Sequence, residues 1–465
     1  MASWLTVRLT PHIENVQEQL IKDVELQTCL RSTAISKIVF ALRESEGATA
    51  VSGDRDVVIT IDLASGQSTK TAVFKIHLNG SWNGGDVPFA LVADTNHWQC
   101  FFGREEDALS RIVPDQLYRP YQSFWGMLRV IGPTGHVRVV GNVTAFAQYA
   151  RIWRQTLDVM RNVINHRPSI NNVTIPINEP EEDLVVGRYI WIKHSEYGSV
   201  KIFYETAGVG EQILLFLHTA GSDSRQYHSL MNDAELQALC TMYAFDLPAH
   251  GRSSLGTKQI PEAYALTEEA YIESIALVIQ KLKLTRNDNL ILCGASMAGQ
   301  VCLAAAIEAR KLGVRGVIAC EGCVHLPLSQ PIYDMKGSDS AILDPERVCG
   351  MIAPMSPVYY KRQIWWQYSS QGAGVFAGDL KFYFKGWDGR GRVEIIDTNY
   401  CPVYMLTGEY DYSCTTEASR ATADMIPGAV FEAMPNLGHF PLTENPEAVK
   451  PFVLTAIAHV RRHRT

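Results

Sequence analysis

The sequence predicts an α/β protein built on a doubly wound, mostly parallel sheet of about eight strands with a cap insertion, preceded by a smaller α+β domain. Three observations carry that expectation. The chain has 465 residues, beyond the roughly 250–300 at which a single hydrophobic core stops growing, so two domains are expected. From residue 186 onward, apolar runs alternate with helical patterns, which is the order of βαβ units. Between the two parts, residues 166–185 (HRPSINNVTIPINEPEEDLV) hold three prolines, several asparagines and an acidic cluster without helical or strand period, as a linker does. The expected division is therefore 1–165, the linker 166–185, and 186–465.

Bulk properties narrow the function classes. Hydrophobic residues make up 46% of the chain and charged residues 20%, ordinary for a soluble globular protein. A formal net charge of -7 argues against nucleic acid or anionic lipid as partner, since both need a basic face. A small apolar or neutral substrate fits better. The start, MASWLTVRLTPHIENVQ, lacks a basic segment followed by an apolar one, and no run reaches the roughly 18 apolar residues of a membrane span. The expected location is cytoplasmic. The ten cysteines agree, because most, such as Cys240, Cys293, Cys302 and Cys401, stand singly inside apolar segments rather than in a disulfide framework. Cys320 and Cys323 form CEGC, with no second pair at zinc spacing. Neither a metal nor a cofactor is expected. The glycines of SQGAGVFAG do not join a strand to a helix at phosphate-binding spacing. The basic end, HVRRHRT, suits a helix C-terminus.

In the first part, a helical stretch near 11–45 precedes two alternating runs, VVITIDL (57–63) and AVFKIHL (72–78), which read as strands with one wet face. PFALVAD, a helix through YQSFWGMLRVI, a short strand HVRVV and a closing helix AFAQYARIWRQTLDVMRNVI follow. Together they predict a small, mostly antiparallel sheet with helices packed on it. This order, with FALVADTNHWQCFFG and FWGMLRVIGPTGHVRVVGN, resembles the sterol-carrier-like lipid-binding fold over about residues 50–165. The resemblance implies an apolar cavity or docking surface. The competing expectation is a packing or dimerisation module, the latter forming a homodimer.

The second part opens with YIWIKHSE and VKIFYETAG as a hairpin. ILLFLHT, CTMYAFDLP, LILCGAS, VRGVIACEG, CPVYMLTGEYD and AVFEAMPN follow as strands, several of them continuously apolar, as parallel strands covered on both faces are. Helical patterns separate them: SRQYHSLMNDAELQAL, TEEAYIESIALVIQKLK, MAGQVCLAAAIEARK and a final NPEAVKPFVLTAIAHVRR. Ligands of such sheets bind outside the carboxyl ends of the strands.

Ser296 sits where LILCGA gives way to MAGQVCLAAAIEARK. A sharp strand-to-helix turn would push its hydroxyl out over the sheet edge, and the crowding there demands small residues two before and two after. Gly294 and Ala298 meet the demand. A hydroxyl at this place is either a helix N-cap or a nucleophile, and a nucleophile needs a base and a group to hold the base. His439 lies in the loop MPNLGHFPLTENP after one strand, and Asp411 lies in YMLTGEYDYSCT after another. The order Ser, Asp, His at successive strand ends is that described for α/β-hydrolases.

Two further stretches carry the resemblance. FLHTAGSDS is similar to the His-Gly loop of the α/β-hydrolase superfamily, and FDLPAHGRSS (245–254) to its Asp-x-x-Gly-x-Gly-x-Ser turn. The resemblance covers residues 186–465. It implies Ser296 as nucleophile, His439 as general base then acid, Asp411 as the group orienting His439, and the backbone N–H groups of Met297 and Ala220 as oxyanion donors. The sequence departs from the family at Thr219, at Ala249 and His250, and at Ala298. None of these removes a reacting group, although Thr219 bears directly on the Ala220 donor. Glu321 at the end of the preceding strand is the alternative acid, and Glu409 lies two residues before Asp411.

Between CEGC and CPVYMLTG about 75 residues exceed a simple crossover and predict a cap at about 324–398. Its aromatic residues, among them Tyr360, Trp365, Trp366 and Phe384 as substrate-binding candidates, predict an apolar, aromatic or polyketide-like substrate shielded from water. The expected chemistry is hydrolysis of an ester or related acyl bond through an acyl-enzyme. The alternatives are a carbon–carbon bond hydrolase of β-diketones or ring-cleavage products, and a non-catalytic ligand-binding protein on the same fold.

Overall fold

The computed structural model describes residues 3–31, 36–44, 56–65, 70–80, 87–102, 137–166, 182–260, 263–326, 338–372 and 374–463. It divides into two compact units, one of residues 1–172 with 330–350, the other of 173–329 with 351–465. The helix expected at YQSFWGMLRVI and most of the expected linker lie outside the described residues.

In the first unit the strands are β1 (Lys37–Glu44), β2 (Asp56–Ser65), β3 (Lys70–Gly80), β4 (Phe89–Ala93) and β5 (Val137–Gly141). They form one sheet in the order β3-β2-β1-β4-β5, antiparallel except where β1 meets β4. The helical stretch expected near 11–45 requires correction. Helices end at Arg31, and Lys37–Glu44 is the central strand, hydrogen-bonded on both sides. Its run Ile38–Leu42 is buried throughout, and a short, continuously apolar run has no period that separates a buried strand from a buried helix. The closing helix is in place as Val143–Gln148 and Ala150–Ile164, parted at Tyr149. Phe40, Phe89, Phe146 and Trp153 form a stacked and edge-on ring series in this core.

The second unit contains β6 (Val186–His194), β7 (Gly198–Ala207), β8 (Gln212–Leu217), β9 (Cys240–Phe245), β10 (Leu290–Ala295), β11 (Val314–Cys320), β12 (Val403–Gly408) and β13 (Val430–Met434). They make an eight-stranded sheet in the order β13-β12-β11-β10-β8-β9-β7-β6. β7 pairs antiparallel with both β6 and β9, and the remaining pairings are parallel. β8, β10 and β12 are buried at every position, as their apolar runs predict for strands covered on both faces. The helices Glu268–Leu282, Met297–Ile307 and Pro446–Arg462 fall where expected. The one expected over 224–239 is broken into Ser224–Tyr227, His228–Met231 and Ala234–Leu239. Asp233 causes the last break by accepting from the N–H groups of Glu235 and Leu236, which caps a new helix. Among the described residues no helix is long and apolar enough to cross a membrane.

The helix Met297–Ile307 lies close against the sheet. A Cβ on Gly299 would stand 2.0 Å from the Cys320 carbonyl oxygen, and one on Gly294 would stand 2.5 Å from the Ala298 Cβ. Helix propensity alone favours Ala over Gly by about 1 kcal/mol, but an overpacked backbone contact costs about 1–3 kcal/mol, so the clash decides. Gly299→Ala is expected to lower stability in urea unfolding. Gly372→Ala, whose Cβ would meet only Val375 Cγ2 at 3.4 Å, is expected to leave it within about 0.5 kcal/mol.

Candidate active site

The switch from β10 to the helix Met297–Ile307 places Ser296 at φ 61°, ψ -121°, a conformation costing a non-glycine residue on the order of 1–3 kcal/mol. Its N–H is tied to the Cys320 carbonyl at 3.0 Å. The Ser296 side chain makes no cap bond to the helix, so the N-cap alternative does not describe it. Its Oγ lies 2.8 Å from His439 Nε2, and His439 Nδ1 lies 2.7 Å from Asp411 Oδ2. The three groups, each buried, come from the ends of β10, β12 and β13, with 143 positions between Ser296 and His439. The second Asp411 oxygen accepts from the N–H groups of Ser413 at 2.6 Å and Cys414 at 3.1 Å. With His439 facing a hydroxyl on one nitrogen and a carboxylate on the other, the arrangement can accept the serine proton and stabilise the imidazolium that results.

Asp411 and Glu321 form a buried carboxyl pair, and their electrostatics differ. Burial works against the Asp411 charge, but His439 and the hydrogen bonds around it hold its carboxyl below the usual 3.8. Burial and the neighbouring Asp411 push Glu321 well above its usual 4.5, so of the pair Glu321 is the one driven toward its neutral form. Glu321 also accepts from the Gly408 N–H at 2.8 Å, at the end of the strand that carries Asp411. One side-chain oxygen or nitrogen from each of Glu321, Asp411 and His439 lies within 4.8 Å of the other two. The other rival, Glu409, accepts from the Asn436 N–H instead.

His439 is held by a residue that sequence reasoning missed. Glu444, fully buried, accepts from the N–H of Gly438 at 2.7 Å and of Phe440 at 3.3 Å, the residues on either side of His439. It also accepts from Ala353 N–H at 3.2 Å and Ser356 Oγ at 2.9 Å. Nothing in LTENP marks a glutamate as buried, so no local signal announces it.

Met297 and Ala220 come from the two elements next to Ser296, the helix after it and the loop after the neighbouring strand β8. Met297 opens the helix. Ala220 belongs to the loop leaving β8, whose Leu217 pairs with Gly294 of β10. Among the described residues neither N–H donates to a protein acceptor. The departures at 249 and 250 acquire reasons here. Ala249 takes φ 71° in place of a glycine, and His250 forms a buried ion pair with Asp379, Nε2 to Oδ2, at 2.8 Å. His250 Nδ1 donates to the Pro248 carbonyl at 3.0 Å. Burial works against the His250 charge, but Asp379 and the Pro248 carbonyl outweigh it and raise its value above 6.5. Burial likewise opposes the Asp379 charge, and His250 with the other donors holds it below 3.8.

The aromatic candidates are dispersed. Phe384 is buried against Tyr383, Tyr360 pairs edge-on with Tyr359, Trp365 is half-buried, and Trp366 is 52% exposed beneath the Arg225 guanidinium. The rings facing His439 are Tyr383 and Phe440, and Tyr368 packs on Phe440. Sequence could count the rings of the insertion but not aim them.

A sheet of this order, with a hydroxyl, an imidazole and a carboxylate in one row at its carboxyl edge, defines the class as an α/β enzyme of hydrolytic type. The sequence profile of the alpha/beta hydrolase family matches residues 214–451, and the chain belongs to that family. Among solved structures, a thermophilic esterase from Thermogutta terrifontis is similar at 21% identity and a TM-score of 0.51, over 59% of this chain and 99% of that one. A hydrolase from Pseudomonas aeruginosa matches at 18% identity and a TM-score of 0.48, over 58% and 98%. The enol-lactonase from Burkholderia xenovorans matches at 17% and 0.49, over 58% and 100%. No curated protein matches the chain.

The His250–Asp379 pair has a definite pH signature. A group raised above its unfolded value, as His250 is, stabilises fully below about pH 6.5, and that contribution fades as pH rises through its folded value. Asp379, depressed, stabilises above about pH 4 and loses its contribution as pH falls through its folded value. The loss of Tm in His250→Gln relative to wild type should therefore be greatest near pH 5–6 and shrink as pH rises through the folded value of His250, as read by thermal unfolding across a pH series.

Proposed function

We propose that the chain is a serine hydrolase that cleaves an ester, or a related acyl bond, of an apolar small molecule. The observation that carries this reading is the unbroken Asp411–His439–Ser296 row ending on a hydroxyl held in a strained turn. Ser296 Oγ attacks the carbonyl carbon while His439 Nε2 takes its proton, and Asp411 holds the imidazolium. The oxyanion is received by the N–H groups of Met297 and Ala220, the first aided by the positive end of its helix. The C–O bond to the leaving alcohol then breaks, with His439 returning the proton. Water activated by the same imidazole releases the acid from Ser296. The rings of Tyr383, Phe440 and Tyr368 beside His439 support an apolar acyl or alcohol group.

Purified protein should cleave p-nitrophenyl acyl esters, and a fluorophosphonate should label Ser296. Ser296→Ala should abolish both, and failure of the wild type to label would refute the nucleophile assignment. The acid assignment separates two carboxyls by kinetics. Asp411→Asn should lower kcat by about 10³–10⁴-fold. Glu321→Gln, which keeps the shape of a carboxyl that burial and Asp411 push toward its neutral form, should lower it by less than about tenfold. The reverse order would move the role to Glu321.

A further inference from the structure

The oxyanion loop has few main-chain bonds of its own, and its residues on both sides of Ala220 are held by side chains. Thr219 Oγ1 and Tyr368 OH are 2.7 Å apart. Thr219 N–H donates to Gln226 Oε1 at 2.9 Å, and Gln226 Nε2 donates back to Thr219 Oγ1 at 2.9 Å. On the other side, the Gly221 N–H donates to Asp379 Oδ2 at 2.7 Å. Asp379 is fully buried and accepts from Tyr264 OH at 2.7 Å as well as from His250 Nε2. Tyr368 lies on the helix Val358–Ser369 and Asp379 on Val375–Lys381. Both helices belong to the segment inserted between β11 and β12.

We propose that Tyr368 and Asp379 are positioning residues for the Ala220 N–H, so that the inserted segment completes the oxyanion hole. This rests on the reading of Ser296 as nucleophile. A donor stabilises the developing oxyanion only when it lies about 2.7–3.1 Å from where that charge forms. With Thr219 in place of the family's glycine, the loop gains a hydroxyl that reaches the inserted helix, and the flanking Gly221 amide is fixed by a carboxylate from the next one. Asp379 fixes the peptide between Ala220 and Gly221, and Tyr368 holds the Thr219 side chain on the other side of Ala220. Tyr368→Phe deletes one anchor by a single oxygen. Asp379→Asn turns an acceptor-only group that serves three donors into one that cannot serve them all.

The experiment compares full-length wild type, Tyr368→Phe, Asp379→Asn and the remote control Tyr404→Phe. Tyr404 OH donates to Glu432 across the outermost parallel pair of strands, β12 and β13, away from the Asp411–His439–Ser296 row. It reads the rate of Ser296 phosphonylation by a fluorophosphonate, kcat and KM on a p-nitrophenyl ester, and Tm. Phosphonylation and kcat should fall about 10–100-fold in the two anchor variants, with KM changed less than about threefold because the donor acts on the transition state. Tyr404→Phe should leave all of them near wild type. Wild-type rates in a folded Tyr368→Phe, whatever Asp379→Asn does, would overturn the proposal, as would a loss seen in KM alone. A wild type that does not label would instead remove the nucleophile reading, and this inference with it.

Discussion

The main chain at Ser296 leaves β10 in a conformation that L-residues avoid, and the site depends on that turn being enforced. What enforces it is contact. The N–H of Ser296 is bonded to the end of β11. The helix that follows comes so near the sheet that residues 294 and 299 have no room for a side chain beyond hydrogen. A relaxed turn would let the hydroxyl fall back to cap its own helix, which is the usual use of serine at such a place. The tight approach of helix to sheet keeps it directed at His439.

Three buried carboxyl groups back the three limbs around that hydroxyl. Glu444 holds the amides on either side of His439. Glu321 sits against Asp411 and takes the amide of Gly408. Asp379 takes the amide of Gly221 beside Ala220. Their charge states follow from their partners. Asp379 has His250 beside it and is held below the usual carboxylate range, whereas Glu321 is buried with Asp411 beside it and is pushed well above that range. Each converts a loop, which would otherwise be a mobile connection, into a fixed mount for one group.

Much of the second unit was readable along the chain because its strands are single apolar runs and its turns carry small residues at set spacings. Ser296, Asp411 and His439 could be nominated for the same reason, since each lies just past a strand in a fixed order. The strand Lys37–Glu44 was not readable, because an apolar run buried on both faces carries no period. Glu444 and Asp379 were not readable either. A glutamate or aspartate in a polar stretch is most often solvated, and only the fold shows these two buried among donors.

The sequence alone therefore determined the kind of sheet and which side chains stand at its carboxyl ends, because apolar patterning and turn chemistry are local. Tertiary structure alone decided which nitrogen meets which oxygen, which of two neighbouring carboxyls is pushed up and which is held down, and which rings turn toward His439. Those outcomes depend on distances between residues 28 to 158 positions apart, and on burial that raises or lowers the cost of a charge. Neither is a property of any short stretch of chain.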